Sequence, residues 1–234
     1  MTRPGLILIE GIAGSGKSTI GQKLAAILQA NNISAHFYHE FDRMHPIREL
    51  NSSDSDELIE KTVSRWRTFV NERQSTGIAI FDGVLSQCFI AELILMCADE
   101  VTIIEGAHRT IEIIKVLDPL VIYLYHDNIR ELILKTYGKR NETWQKKIDM
   151  FIESTTHGKK RKLEGLSGYI SFNREYVTLL NRIMGSSGLA SISIETAQGE
   201  WAEYYRQIAE FLSIPSSENS SVKALNGLNN IDAL

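Results

Sequence analysis

Residues 6–19 read LILIEGIAGSGKST, a short apolar run followed by a glycine-rich loop that ends in Lys-Ser-Thr. The loop matches the pattern G-x-x-x-x-G-K-[ST], in which glycines let backbone N–H groups turn inward around a polyphosphate. We therefore expect a triphosphate to be held by the residues of this loop and its helix start. These are Gly11, Ala13, Gly14, Ser15, Gly16, Lys17, Ser18 and Thr19.

Two side chains of the loop have separate expected roles. Lys17 is expected to contact the β and γ phosphates, and Ser18 is expected to offer its hydroxyl to Mg²⁺. A helix that begins here points its positive end at the same anion. The expected cofactors are Mg²⁺ and ATP. Because the pattern recognises phosphates and not the base, another nucleoside triphosphate is the alternative donor.

The flanks of the loop agree with this interpretation. Residues 6–9 form a buried-strand run, and Ile20, Leu24, Ile27 and Leu28 recur at helical spacing. Strand, loop and helix therefore follow one another in the order that the phosphate-binding pattern requires.

Composition describes an ordinary soluble globular protein. The 234 residues are 43% hydrophobic and 23% charged, with no run approaching the ~18 apolar residues of a membrane span. Cys88 and Cys97 have no cysteine or histidine at metal-ligand spacing, so we expect reduced thiols and a cytoplasmic protein. We expect one domain over residues 1–213 and a disordered, Ser- and Asn-rich tail over residues 214–234.

Charge is unevenly distributed along the chain. The net charge is −4, yet residues 126–175 contain eleven Lys and Arg against seven Asp and Glu. A local basic patch in an acidic protein suits a small anionic ligand better than a long polyanion. We expect a small-molecule partner, no nucleic acid and no membrane, and leave open whether the protein is a homodimer.

Two further strands deliver carboxylates to the same region. Residues 78–81 are apolar and lead into Asp82, which is expected to hold Mg²⁺ or to act as a base. A strand over residues 35–40 brings Glu40, Asp42 and Arg43 to its carboxyl end, where open α/β sheets bind ligands. The three are therefore acceptor-site candidates, with solvated loop charges as the alternative.

The rest of the chain alternates strands and helices without hairpins. Residues 120–125, LVIYLY, form the most strand-like run, whereas residues 86–98 and 100–116 each predict a scaffold helix. Repeated strand-helix units indicate an α/β protein with a parallel sheet covered on both faces.

Several classes that share the phosphate loop are disfavoured by other motifs. The switch-GTPase patterns D-x-x-G and N-K-x-D do not occur, and Asp82 is followed by Gly83, where AAA-type ATPases have glutamate. Without an obvious residue to activate water, transfer to a bound acceptor is more plausible than hydrolysis.

The loop GIAGSGKST, the strand end FDG, the strand DPLVIYLY and the later basic segment together resemble the P-loop nucleoside and nucleotide kinases, in the thymidylate-kinase-like branch. This resemblance implies a three-layer P-loop NTPase fold, with a five-stranded parallel sheet, helices on both faces and a helical lid insertion. It implies an ATP-dependent kinase in which Lys17, Ser18 and Asp82 bind phosphate and metal. More loosely, it makes Lys139 a substrate contact and Arg140 a catalytic lid cation.

The acceptor is less well indicated. FDRMHP and FDGVLSQ stand where thymidylate kinases have their own turns, although Glu40 could replace the general base of the deoxynucleoside kinases. A nucleoside or nucleotide is the expected acceptor. The alternatives are another small molecule, such as an antibiotic or a sugar, and a nucleotide-binding ATPase or regulator with no small acceptor.

A mobile lid is expected over residues 139–168. Lys159, Lys160, Arg161 and Lys162 supply charge, Gly158, Gly165 and Gly168 supply possible hinges, and Arg140 is the preferred phosphate clamp. The alternative is a solvated basic loop with no catalytic part.

Overall fold

A parallel sheet of five strands runs through the middle of the protein. The computed structural model describes residues 4–43, 45–48, 51–73 and 77–214. The sheet order is β2-β3-β1-β4-β5, and every neighbouring pair is parallel. The strands are β1 (Leu6–Glu10), β2 (Ala35–Tyr38), β3 (Ile78–Asp82), β4 (Leu120–Tyr125) and β5 (Ala190–Glu195).

Helices connect the strands and cover the sheet. In chain order they are α1 (Lys17–Ala30), α2 (Ser55–Glu72), a π-helix (Ser86–Ala91), α3 (Glu92–Leu95), α4 (Glu100–Ile114), a 3₁₀ turn (Lys115–Leu117), α5 (Ile129–Lys139), α6 (Glu142–Ser154), α7 (Thr156–Arg161), α8 (Gly165–Ser186) and α9 (Trp201–Phe211).

The central strand β1 shows why the sheet has two covered faces. Leu6 and Leu8 belong to the apolar core formed with α2, α4 and α8, whereas Ile7 and Ile9 belong to a second core formed with α1 and α9. Alternate side chains of a strand point to opposite faces, so an all-apolar strand needs helices on both. The predicted three-layer P-loop fold is confirmed.

Local sequence sets the starts of several helices. Asp54 accepts a hydrogen bond from the backbone N–H of Glu57 at 2.9 Å and caps α2. The carboxylate of Glu57 in turn accepts the backbone N–H of Ser53 at 2.6 Å. This exchange satisfies N–H groups that a helix start leaves unpaired.

The helix predicted over residues 86–98 is divided in the structure. Its first part is a π-helix, in which the N–H of Cys88 donates to the carbonyl of Gly83 and that of Ile90 to Leu85, each at 2.9 Å. Only Glu92–Leu95 is α-helical, and Cys97 has a φ of 65°. Apolar periodicity marked the buried face correctly but does not distinguish bonds spanning five residues from bonds spanning four.

The segment expected to form a glycine-hinged lid contains two helices, α6 and α7, and the start of α8 at Gly165. A side chain at Gly158 would overlap the carbonyl oxygen of Ile152, and one at Gly168 would lie 2.7 Å from the carbonyl carbon of Leu163. Both glycines therefore have a packing reason to be present.

The expected tail over residues 214–234 lies outside the described residues, apart from Ile214. Within the described part, no helix is long and apolar enough to cross a membrane.

Candidate active site

The glycine-rich loop joins the carboxyl end of β1 to the amino end of α1. Lys17 is the first residue of α1 and is only 5% exposed, and its Nζ donates to the carbonyl of Ile12 at 3.1 Å. Gly16, with a φ of 96°, precedes the helix and gives it no side-chain cap. The first N–H groups of α1 are therefore available to an anion.

Two neighbouring elements hold the loop in place. A side chain at Gly16 would lie 2.5 Å from Cη2 of Trp201, at the start of α9, and one at Gly14 would overlap the hydroxyl of Thr136 on α5. The loop is thus packed between α9 and α5, and only glycine fits at these two contacts.

Asp82 lies directly behind the loop. It is fully buried, and the hydroxyl of Ser18 donates to its Oδ2 at 2.6 Å. Its Oδ1 accepts the backbone N–H of Glu40 at 2.6 Å, and Nε2 of His39 is 3.9 Å from Oδ2. A hydroxyl and a carboxylate are oxygen donors of the kind that Mg²⁺ prefers. Among the described residues no group of three His, Cys, Asp or Glu surrounds a metal position, so an ion here would need phosphate oxygens and water as well.

Three side chains converge beside Gly83, which has a φ of 61°. A side chain at Gly83 would lie 3.1 Å from both Oε2 of Glu40 and Cε of Lys17, and 2.9 Å from Oε1 of Gln87. Burial raises the pKa of Glu40, and the charge of Lys17 lowers it in part. A carboxyl group with a raised pKa beside a phosphate-binding lysine is suited to accept a proton from a hydroxyl.

A cavity of about 770 Å³ extends from the phosphate loop past Glu40. Helices α6 and α8 supply its aromatic walls, through Trp144, Phe151, Tyr169 and Phe172. Polar side chains from several other elements also line it, among them Arg48, Gln87, Glu92 and Asn173. The cavity lining therefore combines the phosphate loop with aromatic and polar side chains from other elements.

Most of the residues proposed from the sequence lie on this cavity. Its lining includes Ala13, Gly14, Gly16, Lys17, Ser18, Thr19, Glu40 and Arg140. Gly11 and Ser15 are part of the loop but do not line the cavity, and Asp82 contributes from behind Ser18. The structure thus brings Lys17, Ser18, Asp82 and Glu40 together.

The proposed substrate residues Asp42, Arg43 and Lys139 are exposed and lie outside the cavity. Asp42 instead accepts the backbone N–H of His39 at 2.8 Å and closes the turn after β2. Asp42 and Arg43 follow Glu40 in this turn, and Lys139 ends α5.

The expected lid contributes to the cavity through α6 and not through its basic run. Residues 159–162 are exposed and absent from the lining, and Arg161 pairs with Glu175 at 2.8 Å. Arg140 does line the cavity, with its guanidinium 5.6 Å from the centroid of Trp144.

Glu10 was not singled out by the sequence. This fully buried residue ends β1, and its carboxylate accepts the backbone N–H groups of Leu85 at 3.1 Å and Ser86 at 2.8 Å, and also the hydroxyl of Ser86. Burial raises the pKa of Glu10 to about 7. The carboxylate joins the start of the phosphate loop to the start of the π-helix. Its only signal in the sequence was a charged residue at the end of an apolar strand.

The other residues that the sequence did not indicate are Arg48, Gln87 and Glu92. Gln87 and Glu92 are polar positions five residues apart in a segment interpreted as scaffold. That spacing places both on the cavity side when the segment is a π-helix leading into α3. No local pattern pointed to Arg48, which follows the turn at Pro46.

One family model matches residues 4–166, well over half of the chain, and its description is "Schlafen group 3, DNA/RNA helicase domain". No curated protein matches the sequence significantly.

Solved structures with a similar fold include two kinases. The thymidylate kinase from Candida albicans is 17% identical over 89% of this chain and 92% of its own, with a TM-score of 0.48. The shikimate kinase from Acinetobacter baumannii, solved with shikimate, is 17% identical over 91% of this chain and 94% of its own, with a TM-score of 0.41. At these identities and TM-scores, neither similarity assigns a fold or a substrate to this chain. The phosphate loop and sheet order give this chain a P-loop nucleotide-kinase-like fold.

Proposed function

This chain belongs to the family described as Schlafen group 3, DNA/RNA helicase domain, and we propose that it uses its nucleotide site as a kinase of a small acceptor. One observation carries the proposal: the cavity of about 770 Å³ that continues from the phosphate loop into an aromatic pocket. Hydrolysis needs room only for water, whereas a cavity of this size suits a small organic molecule.

The donor in this proposal is ATP with Mg²⁺. Lys17 and the N–H groups at the start of α1 bind its phosphates, and Ser18 and Asp82 hold the metal. Magnesium, when bound, neutralises charge on the phosphates.

The transfer step follows from the position of Glu40. The acceptor hydroxyl loses its proton to the Glu40 carboxylate while its oxygen bonds to the γ-phosphorus, and the bond from that phosphorus to the bridging oxygen of ADP breaks. Lys17 and Arg140 stabilise the charge that develops on the phosphoryl oxygens. The raised pKa of Glu40 makes it a stronger proton acceptor than an ordinary carboxylate.

A nucleoside or nucleotide is the acceptor that the aromatic walls and the resemblance to nucleoside and nucleotide kinases favour. An antibiotic or a sugar is the alternative within the same reaction class. A cytoplasmic location is part of the proposal, because Cys88 and Cys97 are free thiols in the structure.

The family match favours one other function, a nucleic-acid-stimulated nucleotide hydrolase. In that case Glu40 would orient water in place of an acceptor hydroxyl. The absence of a glutamate directly after Asp82 argues against it, since Gly83 stands there.

One assay separates the two functions. ADP release is measured with Mg-ATP alone and then with nucleosides, nucleoside monophosphates, sugars, aminoglycosides, single-stranded DNA or RNA, and the products are analysed for phosphate. The proposal expects one small-molecule class to stimulate release and to become phosphorylated. Stimulation by DNA or RNA, with only inorganic phosphate formed, would establish the hydrolase instead.

A further inference from the structure

The cavity is lined by acidic as well as basic side chains. Glu40 and Glu92 bring two carboxylates to it, and Arg48 brings one guanidinium. That guanidinium is already engaged, because its Nη1 donates to the backbone carbonyl of Glu40 at 2.7 Å and its charge lies 5.2 Å from the ring centroid of Phe41. Of the other cations that line the cavity, Lys17 lies beside Glu40 and Gln87 at Gly83, and both Lys17 and Arg140 have proposed roles at the transferred phosphate.

Glu92 is the least satisfied of these groups. It begins α3, and its carboxylate makes no hydrogen bond or ion pair with any residue in the described part of the chain. Burial raises its pKa, and the charge of Arg48 opposes this effect. Removing a carboxylate from water without a partner is costly, so a ligand that donates a hydrogen bond to it gains affinity.

A second acceptor without a partner within the described ranges belongs to Gln87, which lines the same cavity as Glu92. Its Oε1 is buried and has no hydrogen-bond partner among the described residues. Asn173, 3% exposed, lines the opposite wall and uses its Nδ2 to donate to the carbonyl of Tyr169 at 2.8 Å. Glu92 and Gln87 therefore lie on a cavity whose walls include the aromatic side chains of α6 and α8, which favour a flat ring or a cation.

We propose that Glu92 and Gln87 select the acceptor: they receive N–H hydrogen bonds from an alcohol that carries an amine or an amino-substituted heterocycle and no phosphate. This inference rests on the proposed kinase function and narrows its acceptor. A phosphorylated acceptor would place its charge near the Glu92 carboxylate, whereas the described cations that line the cavity, Lys17, Arg48 and Arg140, already have contacts or proposed roles elsewhere.

Steady-state phosphorylation tests this selection. The acceptors are the four common ribonucleosides, their 5′-monophosphates and kanamycin, each with Mg-ATP. We expect an amine-bearing acceptor to exceed its phosphorylated counterpart by at least about tenfold in kcat/KM. In Glu92→Gln, which keeps the shape and removes the charge, KM for that acceptor should rise by about tenfold, with a smaller effect on kcat. Glu105→Gln, at an exposed position on α4, is the matched control and should leave KM unchanged.

The outcomes distinguish a failure of this inference from a failure of the proposed kinase function. Preference for a monophosphate, or an unchanged KM in Glu92→Gln, would overturn the inference and leave the kinase function standing. ATP hydrolysis with none of the acceptors phosphorylated would overturn both.

Discussion

Lys17 is the residue whose role follows most directly from its position. It lies at the start of α1, is 5% exposed and approaches the same point as Glu40. In the proposed reaction its ammonium stabilises phosphoryl charge that develops during transfer, so its loss should slow the chemical step more than it weakens the fold.

We therefore expect Lys17→Met, which preserves the buried stem, to lower kcat by about 10² to 10³, the usual effect of removing one such charge-stabilising group. The measurement is turnover in the acceptor assay, with thermal unfolding to verify the fold. Lys135→Met, at an exposed position on α5, is the control and should turn over normally. A near-normal kcat in Lys17→Met would show that Lys17 has no role in the transfer step.

The burial of Glu10 predicts that the free energy of unfolding depends on pH. Its pKa is raised by burial from 4.5 to about 7, so the folded state binds the proton more tightly than the unfolded state. The stability from this group is present below pH 4.5 and is lost as the pH rises to about 7. The loss is on the order of 3 kcal/mol, at 1.36 kcal/mol for each pKa unit.

Urea unfolding of the wild type and Glu10→Gln across this pH range measures the effect. Subtracting the two unfolding free energies cancels the groups that titrate alike in both proteins. The wild-type value should fall relative to that of the variant as the pH rises. A difference that stays constant with pH would mean that Glu10 titrates as an ordinary carboxylate.

Among single residues, the sequence indicated those whose chemistry is local. The phosphate loop is contiguous, and a strand-end carboxylate such as Asp82 has a recognisable pattern. Glu10 accepts hydrogen bonds from Ser86, and Arg48 lines the cavity. Neither contact is visible in the residues next to them.

At the scale of elements, β4 was predicted with the bounds that the structure shows, because six consecutive strand-forming residues follow Asp118-Pro119. The π-helix was not predicted. Its hydrogen bonds span five residues, and its course depends on Glu10 holding the N–H groups of Leu85 and Ser86.

We predict that helix α6 closes over the cavity when ligands bind. It carries Trp144 and Phe151 over the cavity, next to Arg140, and a closed cavity is needed to exclude water from the transferred phosphoryl group. Hydrogen exchange over residues 139–168 should slow in α6 when a non-hydrolysable triphosphate and an acceptor are added together. Exchange in α6 that is unaffected by both ligands would argue against closure.

A matched pair of arginine variants tests the clamp itself. Arg140→Ala should lower turnover by about tenfold or more, because a guanidinium binds phosphate oxygens with two hydrogen bonds. Arg161→Ala, in the exposed basic run, should have little effect, because it removes only a surface pair with Glu175. Equal turnover in the two variants would place the clamp elsewhere.

The whole molecule shows why the donor side was predictable and the acceptor side was not. The donor side is one contiguous loop between β1 and α1, whereas the acceptor pocket is assembled from the loop after β2, the π-helix, α3, α6 and α8. Those segments are far apart in the sequence and meet only through packing on the sheet. Asp42 and Arg43 were proposed from closeness in sequence to a strand end, and neither lines the pocket.

The destination of the γ-phosphoryl group tests the central claim most directly. ATP labelled at its γ-phosphorus is incubated with the wild type and Glu40→Gln, in the presence of the acceptor that stimulates ADP release, and label is counted in acceptor and in inorganic phosphate. We expect most of the label in the acceptor for the wild type and a transfer rate lowered by about 10² or more in Glu40→Gln. The opposite result would be label released as inorganic phosphate, at a rate that does not depend on the acceptor and rises with single-stranded DNA or RNA. That result would contradict the proposed kinase function.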